Sequence, residues 1–229
     1  WKKDQAGTQL PYLDKFKIEI VPDANNTFVR LSQGSLDLAD RVRPTDYIEF
    51  SKTTESVRAV DAGPGLSIDH MWFNLNVAAD GKPVAGDIKY SWFNDKRFRQ
   101  AISMAIDRRS ITSITLQGLA SPLYGFVSPA NKVWIAPELP KIELSIEKAS
   151  QLLKDAGFQK GGSGDSPVLT DAKGNPVEFS LIFPAENEAR KLMASVIQED
   201  LAKLGIKVQV VPIENAALSE RWTKTFDYD

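Results

Sequence analysis

The last third of the chain carries a strand–helix–strand pattern that constrains the fold more than any other part of the sequence. Apolar and polar residues alternate through residues 177–183, as they do in a strand with one buried face. A long amphipathic helix follows and ends at Gly205, and a second alternation covers residues 206–210. A crossover of this length predicts two parallel strands joined by a right-handed connection. The inward positions of the helix are expected to be Ala189, Leu192, Met193, Val196, Ile197, Leu201 and Leu204.

Residues 93–111 predict a pair of consecutive helices. Asn94 is placed to cap the first helix with its side-chain oxygen. The apolar stripe of that helix consists of Phe98, Ala101, Ile102, Ala105 and Ile106. Asp107 is placed to cap the second helix, and Gly118 is placed to end it. The inward positions of the second helix are expected to include Ile111 and Ile114.

The first part of the chain is predicted to form a small strand–helix–strand unit. Residues 16–20 alternate between apolar and charged side chains, which indicates a half-buried strand. A short helix is expected over residues 23–33 because Gly34 follows it. Leu36 and Leu38 then indicate a second strand.

The middle of the chain mixes extended, looped and helical patterns. Residues 68–75 read as extended, and residues 76–92 are predicted to be a loop because they contain several Gly and Pro residues. Residues 122–140 are too rich in Pro to be regular. Ser145 is placed to cap a further helix that Gly157 ends. The elements together predict an α/β fold in which helices flank a mixed sheet.

The residue inventory excludes several kinds of chemistry. The chain of 229 residues contains no Cys and a single His, and its 28 basic and 30 acidic residues give a net charge of −2. No thiolate nucleophile, disulfide or multi-histidine metal site can therefore be built, and there is no basic footprint for nucleic acid. His70 is expected to be an ordinary structural residue. No cofactor is expected.

Aromatic side chains and one loop supply the candidate ligand contacts. Tyr124 and Trp134 lie in the Pro-rich region, where an amphipathic ring can offer contact area to a ligand at low entropic cost. Ligands of α/β sheets gather at the carboxyl ends of strands, which draws attention to the loop after residue 183. The full set of predicted ligand-binding residues is Trp72, Asn74, Tyr124, Trp134, Phe183, Glu186 and Asn187.

An ordered series of short segments carries a resemblance to a known family. The segments are 10–15 (LPYLDK), 20–24 (IVPDA), 34–40 (GSLDLAD), 73–75 (FNL), 93–111 (FNDKRFRQAISMAIDRRSI), 147–158 (EKASQLLKDAGF) and 197–208 (IQEDLAKLGIKV). In this order the series resembles the extracellular solute-binding proteins of ABC transporters, family 5, which includes the dipeptide- and oligopeptide-binding proteins. The resemblance touches nearly the whole chain.

The resemblance implies a fold and a domain division. It implies a periplasmic-binding-protein-like lobe of class II, with residues 1–67 as the α/β end of a first lobe and residues 68–229 as a second lobe. The chain is then expected to be an internal fragment of such a protein. Dipeptide-binding members place an arginine just before the loop that starts at Pro184, but residues 181–183 contain none. The family's aspartate for the peptide amino group would fall after residue 229.

The function implied by the resemblance is solute capture for import. Such a protein binds a peptide or another small polar solute between two lobes and delivers it to a membrane permease, in the periplasm or outside the cell, with lipid anchoring left open. It makes and breaks no bond. Two alternatives remain open at this point: a ligand-sensing domain of the same fold fused to a transcriptional regulator, and a hydrolase.

Overall fold

The computed structural model describes residues 2–40, 42–52, 57–136, 138–161 and 167–229. The chain divides into two compact units, Trp1–Asp61 and Ala62–Asp229. The division lies slightly before the boundary predicted at residue 67. The assignment of the two units to a first and a second lobe stays a prediction.

The first unit contains helices α1 (Ala24–Ser32) and α2 (Pro44–Lys52). Helix α1 begins as predicted, because the side chain of Asp23 accepts a hydrogen bond from the amide of Asn26 at 2.8 Å. It is followed by Gly34 with a positive φ of 69°. Phe28 stacks on Phe50 of α2 with ring centroids 4.7 Å apart, and this contact joins the two helices.

The two strands predicted for the first unit are wrong for the described residues. Phe16, Ile18 and Ile20 are exposed, and neither they nor Leu36 and Leu38 belong to a strand there. An alternating pattern specifies a strand only when a second strand is present to accept its backbone hydrogen bonds. No described segment of this unit offers residues 16–20 such a partner.

The second unit contains all the remaining elements. Its helices are α3 (Asp87–Asn94), α4 (Lys96–Ala105), α5 (Arg108–Thr115), α6 (Ile146–Asp155), α7 (Glu188–Ala202) and α8 (Asn215–Glu220), the last continued by a π-helical turn (Arg221–Thr225). Its strands are β1 (Gln159–Gly161), β2 (Val168–Thr170), β3 (Glu178–Pro184) and β4 (Lys207–Ile213). None of the helices in the described ranges is long and apolar enough to cross a membrane.

The predicted pair of parallel strands with a helix between them is confirmed. Strands β3 and β4 pair in parallel from Glu178 opposite Lys207 to Pro184 opposite Ile213, and α7 connects them. Strands β1 and β2 pair antiparallel. The α/β class is therefore confirmed, although the named strands of the described residues form two separate two-stranded sheets rather than one mixed sheet.

The buried face of α7 differs from the predicted one at three positions, one of which is Ala194, buried although it is not among the predicted inward residues. Leu201 and Leu204 are buried as expected, but Leu192 is exposed. Asp200 is buried instead, because its carboxylate accepts hydrogen bonds from the amide of Asp107 at 2.8 Å and from Lys203 at 2.6 Å. A buried carboxylate with two donors is satisfied, and here it fastens the start of α5 to the end of α7.

The helix pair is present, with a corrected boundary. Helix α3 covers part of the region predicted as a loop, and Asn94 is its last residue rather than the cap of the next helix. Asp95 caps α4 by accepting from the amide of Arg97 at 2.7 Å, and Asp107 caps α5 as predicted. Ile114 is exposed and not inward-facing. Helix α3 forms despite the neighbouring Gly residues because it buries Trp92 and Phe93.

Five phenylalanines form the centre of the core of the second unit. They are Phe73, Phe93, Phe98, Phe158 and Phe179. Phe93 and Phe98 are completely buried, and ring centroids of neighbouring members lie 4.6 to 6.2 Å apart. Helix α6 packs Ala149 and Leu153 here, and it is capped by Ser145 and followed by Gly157 at a φ of 93°, as predicted. This phenylalanine core joins α4 and α6 to β3.

Candidate ligand-binding surface

The extended segment 70–74 separates the core from an exposed surface. Met71 and Phe73 point toward the phenylalanine core and pack against it. Side chains alternate between the two faces of extended backbone, so His70, Trp72 and Asn74 lie on the opposite face. Residues 68–75, which are predicted to be extended, belong to no helix or strand.

Asn74 is the best-anchored polar side chain of the segment. It has no exposed surface, and its Nδ2 donates to the carbonyl oxygens of Phe226 at 2.7 Å and Tyr228 at 2.8 Å. Its Oδ1 accepts from the backbone amide and the side chain of Asn76 at 3.0 and 2.8 Å. A buried amide with this many partners fixes the backbone around it. Asn74 therefore holds residues 226–229 against residues 70–76.

Asp229 fastens the same C-terminal segment to strand β3. Its carboxylate accepts from the amide and hydroxyl of Ser180 at 2.7 and 2.8 Å and forms an ion pair with Lys89 at 2.7 Å. Its carbonyl oxygen accepts from the amide of Asn74 at 3.0 Å. Residues 226–229 are thus bound both to segment 70–76 and to β3.

Five rings form an exposed cluster on the outer face of this arrangement, which we call the aromatic surface. Its members are His70, Trp72, Phe126, Trp222 and Tyr228. Trp72 is the hub: it stacks on Trp222 with centroids 5.9 Å apart, lies 5.0 Å from His70 and meets Tyr228 edge-on at 6.5 Å. Trp72 and Trp222 nevertheless keep 43% and 41% of their surface exposed.

The Pro-rich loop reaches the aromatic surface through Phe126. The ring of Phe126 meets His70 edge-on at 5.7 Å, and Ser128 donates to the carbonyl of Gly65 at 2.5 Å. Further back in the loop, the guanidinium of Arg108 lies over the ring of Tyr124 at 6.0 Å. The loop has no helix or strand among its described residues, as predicted.

Arg108 connects Tyr124 of this loop to helix α4. It donates to the carbonyl and hydroxyl oxygens of Ser103 at 2.8 and 2.7 Å. Burial lowers the pKa of Arg108, and Tyr124 partly offsets that shift. Since an arginine stays protonated at any physiological pH, Arg108 remains a cation between α4 and the loop.

Residues from the elements that follow β3 and β4 reach the same surface. Asn187 follows β3 and caps α7, accepting from the amide of Arg190 at 2.9 Å. Arg190 in turn forms an ion pair with Asp69, the neighbour of His70, at 2.8 Å. Helix α8 and the turn carrying Trp222 follow β4. This placement agrees with the tendency of ligands in α/β folds to bind at the carboxyl ends of strands.

The predicted ligand-binding residues occupy three kinds of environment. Trp72 belongs to the aromatic surface, while Glu186 and Trp134 are exposed, Trp134 to 76%. Among the described residues, no ring contact joins Trp134 to Trp72. The others have contacts within the protein: Asn74 is buried, Phe183 is buried in β3, Asn187 caps α7, and the half-buried Tyr124 lies beneath Arg108.

Sequence reasoning missed four members of the aromatic surface. They are His70, Phe126, Trp222 and Tyr228. The alternation of residues 70 and 72 was the one signal that could have added His70, because both side chains share a face. Trp222 and Tyr228 are brought in by the folding of the C-terminal segment, which no local pattern reveals.

The acidic and histidine side chains do not assemble a metal centre in the described part of the chain: no three of them come close enough to share an ion. Asp171, the most strongly shifted carboxylate outside the first unit, has a structural task. Burial would raise the pKa of Asp171, but hydrogen bonds from Asn175 and from the indole of Trp92 outweigh it and lower the pKa to about 2.

Comparison with known proteins places this fold in a family. The family described as bacterial extracellular solute-binding proteins, family 5 middle, matches residues 1–229. A probable ABC transporter-binding protein of Deinococcus radiodurans is 35% identical over 218 residues, which cover 93% of this chain and 35% of that protein. The oligopeptide-binding protein AppA of Bacillus subtilis is 32% identical over 223 residues, covering 96% of this chain and 37% of AppA.

A solved structure supports the same placement. The structure of AppA from Bacillus subtilis in complex with a nonapeptide matches with a TM-score of 0.69 at 28% identity, covering 92% of this chain and 38% of that one. The α/β architecture is thus that of the periplasmic binding proteins. The chain belongs to family 5 of the bacterial extracellular solute-binding proteins. It spans about a third of the length of the relatives that it matches.

Proposed function

We propose that the protein carrying this chain is the solute-binding component of an ATP-driven importer. It captures a peptide or another small polar organic solute and delivers it to a membrane permease from the extracellular or periplasmic side. The observation that carries the proposal is the match of the whole chain to an extracellular solute-binding family. The relatives described above are named as binding proteins, which favours transport over the sensing and hydrolytic alternatives.

The aromatic surface and its surroundings are the proposed site of capture. Trp72, Tyr124, Trp134 and Glu186 are the proposed direct contacts. Large amphipathic rings lose little conformational entropy when a ligand covers them, and the exposure of Trp72 and Trp134 supports this use. The remaining members of the predicted set hold the surface in place: Asn74, Phe183 and Asn187.

Capture requires that the solute binds the closed and open states of the protein with different affinities. It does not require a chemical reaction. A solute that binds the closed arrangement of two lobes more tightly than the open one shifts the protein toward the closed state. Closure of this kind is a hinge motion about a few connecting residues. The solute leaves unchanged, since the proposal contains no step that makes or breaks a bond.

Mass spectrometry of the complete protein, purified without refolding, tests the proposal. We expect an intact small solute to be released when the protein is denatured, and to rebind when it is added back. Release of a hydrolysed product in place of the rebinding solute would contradict the proposal, as would a protein that carries and rebinds nothing.

Calorimetry with the recovered solute then tests the loop residues. The double variant Tyr124→Ala with Trp134→Ala is expected to bind that solute more weakly. A matched control is Ile114→Ala, which removes an exposed apolar side chain from α5 of the same unit. An unchanged affinity in the double variant would remove both loop residues from the site.

A further inference from the structure

Trp72 combines many aromatic neighbours with a large open area. It contacts His70, Trp222 and Tyr228, yet close to half of its surface is exposed. A tryptophan that is only packed into a core is largely buried, as Trp92 is in the same unit. The planes of Trp72 and Trp222 are nearly parallel, with an angle of 15° between them. The two indoles therefore form one ring stack, and the part of it that stays exposed, 43% of Trp72 and 41% of Trp222, is what we call the flat area.

This flat area is held rigidly from below. Asn74 lies two residues after Trp72 and bonds to the carbonyl of Tyr228 at 2.8 Å, and Asp229 ties the same segment to Ser180. The backbone positions of Trp72 and Tyr228 are thus fixed by buried hydrogen bonds before any ligand arrives. Preorganisation of this kind reduces the free-energy cost of binding.

The arginines that flank the flat area are already engaged. Arg190 is ion-paired with Asp69 at 2.8 Å, next to His70. Arg221, next to Trp222, lies 3.7 Å from the carboxylate of Asp227. A ligand carboxylate that docked on either arginine would first have to displace an internal partner. The electrostatics of this surface therefore favour an uncharged group over a free carboxylate.

We infer that the stacked indoles of Trp72 and Trp222 form a subsite for an uncharged group with a flat ring face, either a sugar ring or the aromatic side chain of a peptide. This inference specifies which chemical groups the capture site takes, and it therefore rests on the proposed function. Both groups offer the same chemistry to an indole: a planar set of C–H or π atoms that stacks without needing a counter-charge.

Isothermal titration calorimetry on the complete protein, with three probes, distinguishes a sugar ring from an aromatic peptide side chain as the bound group. Raffinose offers uncharged sugar rings, N-acetyl-Ala-Phe-Ala-amide offers an uncharged aromatic side chain, and tri-alanine offers charged termini without a ring. We expect one of the ring-bearing probes to bind more tightly than tri-alanine. Raffinose as the tighter probe assigns the subsite to sugars, and the capped peptide assigns it to aromatic side chains.

Variants of the two indoles test whether that binding uses the subsite. Trp72→Ala and Trp222→Ala are each expected to weaken the tighter ring-bearing probe roughly five- to tenfold, which corresponds to the loss of one aromatic stacking contact. Trp72→Phe, which keeps a ring, is expected to retain most of the affinity. Ile114→Ala serves as the control for an exposed apolar side chain of the same unit. The Trp222 variant tests the inference even if Trp72→Ala impairs folding.

Three results would overturn the inference: tri-alanine binding as tightly as the ring-bearing probes, no binding of either ring-bearing probe, or unchanged affinity in both alanine variants. The outcome is separable from that of the proposed function. A protein that releases and rebinds an intact solute, but with an affinity insensitive to both indoles, retains the function and loses the subsite.

Discussion

Two neighbouring residues, Trp72 and Phe73, send their rings to opposite sides of one extended segment. Phe73 stacks on Phe93 with centroids 4.6 Å apart and belongs to the phenylalanine core. Trp72 stacks on Trp222 at 5.9 Å and belongs to the exposed aromatic surface. The phenylalanine core and the aromatic surface thus have similar ring geometry and opposite exposure.

The difference teaches that ring contacts alone do not identify a core. The core is built from hydrocarbon rings, whereas four of the five rings on the aromatic surface carry a nitrogen or an oxygen. Trp92 marks the boundary case, because it is buried and its indole nitrogen donates to Asp171 at 3.1 Å. Polar ring atoms need a partner when buried, and the indole of Trp92 has one in Asp171.

The largest expected effect comes from truncating a phenylalanine in each of the two regions. Phe98→Ala, in the core, is expected to lower the free energy of unfolding by about 3–5 kcal/mol, because the side chain is completely buried and its removal leaves a cavity. Phe126→Ala, on the aromatic surface, is expected to change it by no more than about 0.5 kcal/mol, because Phe126 is 80% exposed. Urea denaturation of both variants provides the measurement. Equal losses in the free energy of unfolding would contradict the distinction between the phenylalanine core and the aromatic surface.

The next effect concerns the support beneath the aromatic surface. Asn74→Ala leaves the carbonyl oxygens of Phe226 and Tyr228 without their donor. We expect a loss of roughly 2–3 kcal/mol in the free energy of unfolding, together with faster amide hydrogen exchange in residues 226–229. Asn94→Ala is the matched control, since Asn94 is an exposed residue at the end of α3. If exchange in residues 226–229 stayed as in the parent, Asn74 would not be their anchor.

The next prediction concerns the pH dependence of stability at Asp171, the hydrogen-bond partner of Trp92. The pKa of Asp171 is lowered to about 2 in the folded protein and lies near 4 in an unfolded chain. The carboxylate therefore stabilises the fold above about pH 4, and this contribution is lost as the pH falls toward about 2. We expect Asp171→Asn to cost on the order of 1 kcal/mol at pH 6, after allowance for solvent screening.

The free energies of unfolding of Asp171→Asn and of the parent should become equal at low pH. Denaturation at several pH values between about 2 and 6 would show the difference between Asp171→Asn and the parent shrinking toward low pH. A difference that stayed constant across this range would mean that packing around Trp92, and not the ionised carboxylate, produces the effect.

The smallest effect is expected at the rim of the aromatic surface. Asp69→Asn removes the partner of Arg190 from an ion pair whose members are both well exposed, so the loss of stability should stay below about 1 kcal/mol. The variant should bind tri-alanine more tightly than the parent does, because the freed guanidinium of Arg190 can then donate hydrogen bonds to the carboxylate of the peptide. Calorimetry with tri-alanine provides the check, and the double variant with Arg190→Gln should abolish the gain.

Much of the scaffold could be predicted from local patterns. The crossover from β3 through α7 to β4 follows from the switch between two-residue and 3.6-residue periodicity. The caps at Asp107 and Ser145 follow from residue type and spacing. Helix α3 could not be predicted in the same way, because its formation depends on the burial of Trp92 and Phe93 against elements distant in the sequence.

The site was less predictable than the scaffold. Trp72 could be singled out by its type and position, but its partners Trp222 and Tyr228 come from the far end of the chain. Their placement depends on hydrogen bonds such as that from Asn74 to the carbonyl of Tyr228, which link residues about 150 positions apart. No periodicity encodes such a contact. The sequence of residues 16–20, conversely, shows a strand pattern without a described partner.

The most direct test of the distinction between core and surface pairs Trp72→Ala with Phe73→Ala in the complete protein. Each variant is measured twice, by urea denaturation and by calorimetry with the tighter ring-bearing probe. We predict that Phe73→Ala lowers the free energy of unfolding by roughly 2–3 kcal/mol, whereas Trp72→Ala lowers it by less than about 1 kcal/mol and weakens the probe roughly five- to tenfold. Loss of stability without loss of affinity in Trp72→Ala would contradict the account.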